Sequence, residues 1–229
     1  CFVTDCDNDR CVLIARDSAT GEYRPLEEDY TFALSVDHVL SGSPRGSTVV
    51  TNWSTSQMLD DVAMAHHANL RRAPTGEVYT ATEAYHFGAV IAGEGSCAGV
   101  IDPRVGMGRD VLVAIWHILG TLTQKQRDLN DIAQEMPVYY KINRDHRSDQ
   151  SIEDTAGKLD KLQCRYAEKK NIHFINREDG LIVVLSDRSR IQIRSSNTEP
   201  ILRIRSEAPD KEKAESLVAE ALQMMDCLR

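Results

Sequence analysis

Six cysteines are spread along the 229 residues (Cys1, Cys6, Cys11, Cys97, Cys164 and Cys227), yet none forms a C-x-x-C pair. No cysteine–histidine cluster has the spacing of a zinc site either. The cysteines read as reduced thiols of a cytosolic protein. A basic excess is also missing. The formal net charge is −8 with 27% charged residues, which disfavours nucleic acid as the main partner. No apolar run approaches the ~18 residues of a membrane span, no signal peptide is expected, and no internal repeat or low-complexity tract stands out. The length admits one large domain or two ordinary ones. The first residue is Cys1 rather than Met, and "CFVTD" reads as the middle of a strand, so the chain is expected to be a fragment cut from something longer.

Residues 1 to 27 read as two strands around the polar loop "DCDNDR", followed by a hairpin-like turn at "DSATGEY" with Gly21. This piece is too small to own a core. From Glu28 the texture changes to alternating helices and strands. Helices are expected at Tyr30 to Leu40, Thr55 to Asn69, Thr80 to Phe87 and Val111 to Leu122. Short strands are expected at "STVVTN", "LRRA" and "AVIAGE". Asp110 suits the N-terminal cap of the last helix. The pattern suggests a mostly parallel α/β layer. A boundary falls near Met136 and Pro137. Beyond it come a strand at "VYYKI", a helix from Ser151 to Lys170, strands at "IHFIN" and "LIVVL", two more strands around "RSSNTEP", and a final helix opened by Pro209 and Asp210. The expected class is therefore α/β: a mixed-sheet α/β domain followed by a smaller α+β domain.

Three stretches could carry chemistry. In "DCDNDR", Asp5, Asp7 and Asp9 alternate and fall on one side of an extended backbone. Three like charges this close repel unless a cation sits among them, and hard oxygen ligands suit magnesium or calcium. An EF-hand loop is excluded, because Arg10 and Arg16 occupy its required Gly and Glu positions. A solvated acidic turn is the plainer alternative. In "AGEGSCAGVI", Gly93, Gly95 and Gly99 let backbone approach a ligand closely. Glu94 and Ser96 there supply an acceptor and a hydroxyl for sugar; a plain turn with a solvated Glu is the alternative. In "RSSNTEP", Arg194 can grip a phosphate with two parallel hydrogen bonds. Ser196, Asn197 and Thr198 can add donors, and Arg203 can add charge from the next strand. A polar hairpin built on turn chemistry is the alternative.

Taken together, the stretches resemble motifs of the α-D-phosphohexomutases. "DCDNDR" is similar to that family's D-G-D-G-D-R magnesium loop, with Cys6 and Asn8 where glycines are usual. "GEGSCAG" is similar to its sugar-contacting loop, with Cys97 and Ala98 in place of Gly-His. "RSSNTEP" is similar to its R-x-S-[GN]-T-E-P phosphate loop. "APTGE" (Ala73 to Glu77) and "GMGRD" (Gly106 to Asp110) resemble two further segments of the family.

The resemblance implies an organisation in three parts. Residues 1–27 would be the tail of a truncated second domain carrying the metal loop, 28–136 an α/β sugar-binding domain, and 137–229 an α+β phosphate-binding domain whose sheet carries helices on one face. It implies Mg2+ held by Asp5, Asp7 and Asp9, with Arg10 assisting beside it. Thr75, Gly76, Glu94 and Ser96 would hold the sugar, and Arg194, Ser196, Asn197, Thr198 and Arg203 the phosphate. The implied reaction moves phosphate between C1 and C6 of a hexose or hexosamine phosphate through a bisphosphate. No segment here matches the family's phosphoserine motif, so the donor would lie in missing N-terminal domains of the same protein, and the fragment alone would be inactive. The implied partner is a small phosphosugar in the cytoplasm, with neither nucleic acid nor membrane. The alternative is a phosphosugar-binding module without catalysis.

Overall fold

The computed structural model describes residues 1–147, 152–195 and 201–227. It divides into two compact units, Cys1–Pro137 and Val138–Arg229. Among the described residues no helix is long and apolar enough to cross a membrane.

The first unit opens with strands β1 (Phe2–Thr4), β2 (Cys11–Arg16) and β3 (Tyr23–Pro25), an antiparallel sheet in the order β1-β2-β3. Cys11, Leu13 and Ala15 are buried on one face of β2, as period-two alternation requires. The turn at Gly21 is the hairpin that joins β2 to β3. Helix α1 (Glu28–Ser41) follows, then β4 (Thr48–Asn52), α2 (Met58–Ala65), β5 (Asn69–Ala73), α3 (Glu77–His86), β6 (Ile91–Glu94), a 3-10 turn (Gly95–Cys97), β7 (Gly99–Ile101), α4 (Val111–Lys125) and α5 (Leu129–Gln134).

The second sheet runs β5-β4-β6-β7, parallel through its first three strands and antiparallel at β7. It is covered on both faces. Val50, Ala92 and Ile101 pack with Ala84 of α3. On the opposite face, the ring of Phe32 from α1 lies against Gly93. Burial on both sides explains why β4 and β6 are buried almost throughout rather than alternating. Helix α1 touches both sheets, through β2, β6 and β7, and also packs on α4.

The helix expected over Thr55 to Asn69 is shorter, Met58–Ala65. Side chains capture the backbone before it. Asn52 Oδ1 accepts from Thr55 N and Thr55 Oγ1, each at 2.8 Å. The buried Arg72 side chain donates to the carbonyls of Asn52, Thr55 and Ser56. Such bonds offer the chain an alternative to a helical turn. The C-terminal end is closed by His67 in the left-handed region, at φ 55°, after which Asn69 enters β5. Helices α1 and α3 begin two and three residues earlier than their apolar patterns suggest, with Glu28, Asp29 and Glu77 in the first turns, where acidic side chains meet the positive helix end.

The second unit comprises β8 (Tyr140–Arg147), α6 (Ile152–Ala167), β9 (Ile172–Asn176), β10 (Leu181–Leu185), β11 (Arg190–Ser195), β12 (Ile201–Ala208) and α7 (Lys211–Asp226). Its five strands form an antiparallel sheet in the order β8-β12-β11-β10-β9. Leu181, Val183, Leu185, Ile191, Ile193, Leu202 and Ile204 share one face and pack with Leu159, Leu162 and Tyr166 of α6 and with Leu217, Val218, Ala221 and Met225 of α7. Both helices therefore cover the same side of the sheet.

Candidate functional site

The acidic stretch joins β1 to β2 as a tight turn, not as extended backbone. Convergence of its carboxylates comes from the turn rather than from strand alternation. Asn8 stands at φ 57°, a left-handed position that Asn tolerates almost as Gly does, and its Oδ1 accepts from Thr4 Oγ1 at 2.9 Å. Asp5 Oδ1 accepts from the backbone of Asp9 (3.3 Å) and Arg10 (3.2 Å), and Asp5 Oδ2 from Arg10 Nε at 2.6 Å. One oxygen each from Asp5, Asp7 and Asp9 lies within 4.8 Å of the others. Asp9 Oδ1 is buried without a hydrogen bond, although Arg10 Nε stands 3.3 Å away.

Desolvation opposes the ionisation of Asp5, but the hydrogen bonds from Arg10 hold its carboxyl well below the usual carboxylate range. Desolvation raises Asp9 against the pull of Arg109, helped by its neighbours Asp5 and Asp7. A hard divalent cation fits this set: three convergent carboxylates, one of them with an oxygen that no donor satisfies.

A second cluster forms at the carboxyl ends of the parallel strands β4, β5 and β6, where open α/β sheets place ligands. Glu94 ends β6 and is 3% exposed. Its Oε1 accepts from Asn52 Nδ2, at the end of β4, and from Gly76 N, just beyond β5, both at 2.7 Å. Gly76, at φ 137°, is half-buried beside Thr75, whose hydroxyl meets that of Ser54 at 2.9 Å. Ser96 is half-buried on the following 3-10 turn. Burial and the neighbouring Glu94 push the Cys97 thiol up to about 11 against the pull of Arg109, so it stays protonated and donates to Glu94 O at 3.4 Å.

The glycines of this loop serve packing rather than ligand approach. A Cβ on Gly93 would overlap Gly99 O and stand 2.6 Å from the Phe32 ring, and one on Gly95 would meet Asp29 Oδ1 at 2.5 Å.

Arg109, just before α4, links the two clusters. Asp110 caps that helix as expected, accepting from Leu112 N at 2.7 Å. The Arg109 guanidinium pairs through Nη2 with Asp9 Oδ2 and, at 3.5 Å, with Glu77 Oε2. Its Nη1 reaches Glu94 Oε2 at 3.2 Å and Cys97 Sγ at 3.4 Å. The "GMGRD" segment holds Arg109 but points to no partner for it, and nothing in the sequence marks Asn52 and Cys97 as partners of Glu94. Thus Asp5, Asp7, Asp9, Arg10, Thr75, Gly76, Glu94 and Ser96 all lie in the first unit, on the two linked clusters.

In the second unit, Arg194 and Arg203 stand directly opposite each other in the β11–β12 register. Like charges so placed repel. Asp145 faces Arg203 from β8, and Arg194 Nε is buried without a hydrogen bond. Ser196, Asn197 and Thr198 lie outside the described residues.

Two domain profiles match the chain. Residues 27–140 match "Phosphoglucomutase/phosphomannomutase, alpha/beta/alpha domain III", and residues 144–224 match the "C-terminal domain" of the same family. A phosphoglucomutase/phosphomannomutase of Thermococcus kodakarensis is 30% identical over 222 residues, covering 97% of this chain and 46% of that protein. A phosphoglucomutase/phosphomannomutase family protein of Burkholderia thailandensis superposes with a TM-score of 0.79 at 20% identity, over 99% of this chain and 46% of that one. An N-acetylphosphoglucosamine mutase of Aspergillus fumigatus, solved with GlcNAc-6P and magnesium, superposes with a TM-score of 0.65 at 15% identity, over 100% of this chain and 52% of that one. The chain spans about half the length of the relatives it matches. With both domain profiles in sequence order and the fold in agreement, the chain belongs to the α-D-phosphohexomutase family, of which it represents a C-terminal portion.

Proposed function

We propose that this chain is part of a phosphohexomutase that moves phosphate between C1 and C6 of a hexose or hexosamine phosphate through a bisphosphate intermediate. The observation that carries the reading is the convergence of Asp5, Asp7 and Asp9 within 4.8 Å, on a loop that Arg109 ties to Glu94. Asp5, Asp7 and Asp9 would hold Mg2+, which when bound neutralises charge on a transferring phosphoryl group.

Arg10, whose side chain is 46% exposed, steadies the phosphoryl oxygens beside the acidic loop. Glu94 and Ser96 hold sugar hydroxyls, with Thr75 and Gly76 as the adjoining wall. Arg194, Ser196, Asn197 and Thr198, with Arg203, hold a phosphate of the substrate. The phosphoryl donor is a phosphoserine supplied by the half of the family fold that this chain does not span, and 1–27 is the tail of the domain before the sugar-binding one. The "GEG" and "GRD" details lean toward glucosamine phosphate. The setting is the cytoplasm, with neither nucleic acid nor membrane as partner.

Calorimetry with hexose 6-phosphates in Mg2+ tests the reading, together with a mutase assay primed with glucose 1,6-bisphosphate. The assay is run on this chain and on the chain preceded by the N-terminal half of the Thermococcus kodakarensis relative. Binding by both and turnover by the longer protein alone are expected. Turnover by the 229-residue chain contradicts the phosphoserine donor, and absence of sugar-phosphate binding contradicts the function.

A further inference from the structure

Arg109 makes more contacts than helix capping or charge balance requires. Its side chain is 19% exposed and stands among Asp9, Glu77 and Glu94. Its backbone is also held, since Arg109 N donates to Glu77 Oε1 at 2.7 Å. The stem has a dedicated path across bare backbone: a Cβ on Gly99 would overlap Arg109 Cδ. Gly99 is the residue that bridges Arg10, and Cys11 N donates to Ala98 O at 3.2 Å beside it. The main chains of the acidic loop and the sugar loop are therefore joined at one seam, and the Arg109 stem crosses it.

From this geometry we infer that Arg109 is a positioning residue that couples occupancy of the acidic loop to occupancy of the sugar loop. The inference rests on the function proposed above. A guanidinium offers five donors in a rigid fork, and here the fork divides between Asp9 on one loop and Glu94 and Cys97 on the other. A divalent cation that draws on Asp9 weakens one arm of the fork. The guanidinium then bears more fully on Glu94, which orients the carboxylate proposed to meet the sugar. Coupling of this kind is reciprocal: if the cation tightens sugar-phosphate binding by some factor, the sugar phosphate tightens cation binding by the same factor. A residue that only balances charge would change both affinities and leave that factor alone.

The test is a titration of the 229-residue chain with Mn2+ as the probe cation, followed by electron paramagnetic resonance, with and without glucose 6-phosphate. Wild type is expected to bind Mn2+ about 5- to 150-fold more tightly when the sugar phosphate is present, the usual range for coupled sites. Arg109→Lys keeps the charge and loses the fork; Gly99→Ala keeps the arginine and obstructs its stem. In both, the ratio is expected to fall toward one while each ligand still binds. Tryptophan fluorescence confirms that each variant is folded. An unchanged ratio in folded Arg109→Lys and Gly99→Ala overturns the coupling while sparing the proposed function. A wild-type chain that binds neither Mn2+ nor glucose 6-phosphate overturns both.

Discussion

Replacing Glu94 by glutamine exchanges one oxygen of a buried carboxylate for an NH2 group, and the structure sets what that costs. Oε1 accepts from Asn52 and Gly76, both at 2.7 Å, while Oε2 faces Arg109 Nη1 at 3.2 Å. The new amide can keep its oxygen toward Asn52 and Gly76, but its NH2 then points at a guanidinium that only donates. Turned over, it confronts two donors on the other side. Either orientation leaves one face mismatched.

The loss is at least one hydrogen bond to a charged group, worth about 1.5–3 kcal/mol. Weakening of the bonds that the charge had strengthened comes on top. Arg109 is not stranded, because Asp9 and Glu77 still hold it; the cost therefore stays below the ~3–5 kcal/mol of an abandoned buried charge. We expect a net destabilisation of about 2–4 kcal/mol. The assay is urea unfolding followed by tryptophan emission. The chain has two tryptophans, Trp53 and Trp116, both within the Cys1–Pro137 unit, so the signal reports that unit alone. With a slope of about 2 kcal/mol/M, the midpoint should fall by about 1–2 M. A midpoint within about 0.3 M of wild type, less than ~1 kcal/mol at that slope, would refute the assignment of Oε2 as an anchor of Arg109.

Three further expectations concern other parts of the fold. Gly93→Ala should cost at least the ~1–3 kcal/mol typical of overpacking, a fall of about 0.5–1.5 M or more in the same midpoint, because its Cβ overlaps Gly99 O and meets the Phe32 ring at 2.6 Å. In the second unit, Arg190 and Glu207 form a buried cross-strand pair at 2.7 Å. Arg190→Met should cost about 3–5 kcal/mol by circular dichroism, and adding Glu207→Leu should recover most of it; equal losses for single and double variants would dismiss the pair as the cause. Burial depresses the His117 pKa below its ordinary value, against the pull of Asp102. The unfolded chain therefore takes up a proton that the folded one refuses, and the contribution is fully present above about pH 6.5. Stability should fall as pH drops below that value, and less steeply in His117→Leu, as thermal melts at about pH 7 and about pH 5.5 will show.

The elements legible in the sequence are those whose apolar residues follow one period. In β11 and β12, alternate residues face a helix-covered core, and α7 carries its apolar residues at helical spacing. Errors arose where polar side chains compete for the backbone. The span from Asn52 to Gln57 is rich in hydroxyls and amides that look compatible with a helix start. What holds it in a loop is Arg72, a strand residue whose contact with those carbonyls is tertiary. Helix α5 left no readable signal, since six residues of mixed polarity provide too few turns for a period to emerge.

The site divides the same way. Asp5, Asp7, Asp9 and Glu94 could be read because each motif is short and contiguous. Arg109 could not, because its partners come from segments far apart in sequence and its place depends on how β2 and β7 meet. The glycines show why composition misleads here. Gly93 and Gly99 were legible as places where something approaches the backbone, but the approaching groups are Phe32 and Arg109, not a ligand. A glycine-rich loop beside an acidic residue thus has two physical readings, bare backbone for a substrate or bare backbone for the protein's own side chains, and only the distances to a Cβ that is not there decide between them. Here they favour a loop braced from behind by α1 and crossed by Arg109, which is the rigidity that a carboxylate needs if it is to orient a sugar rather than adapt to it.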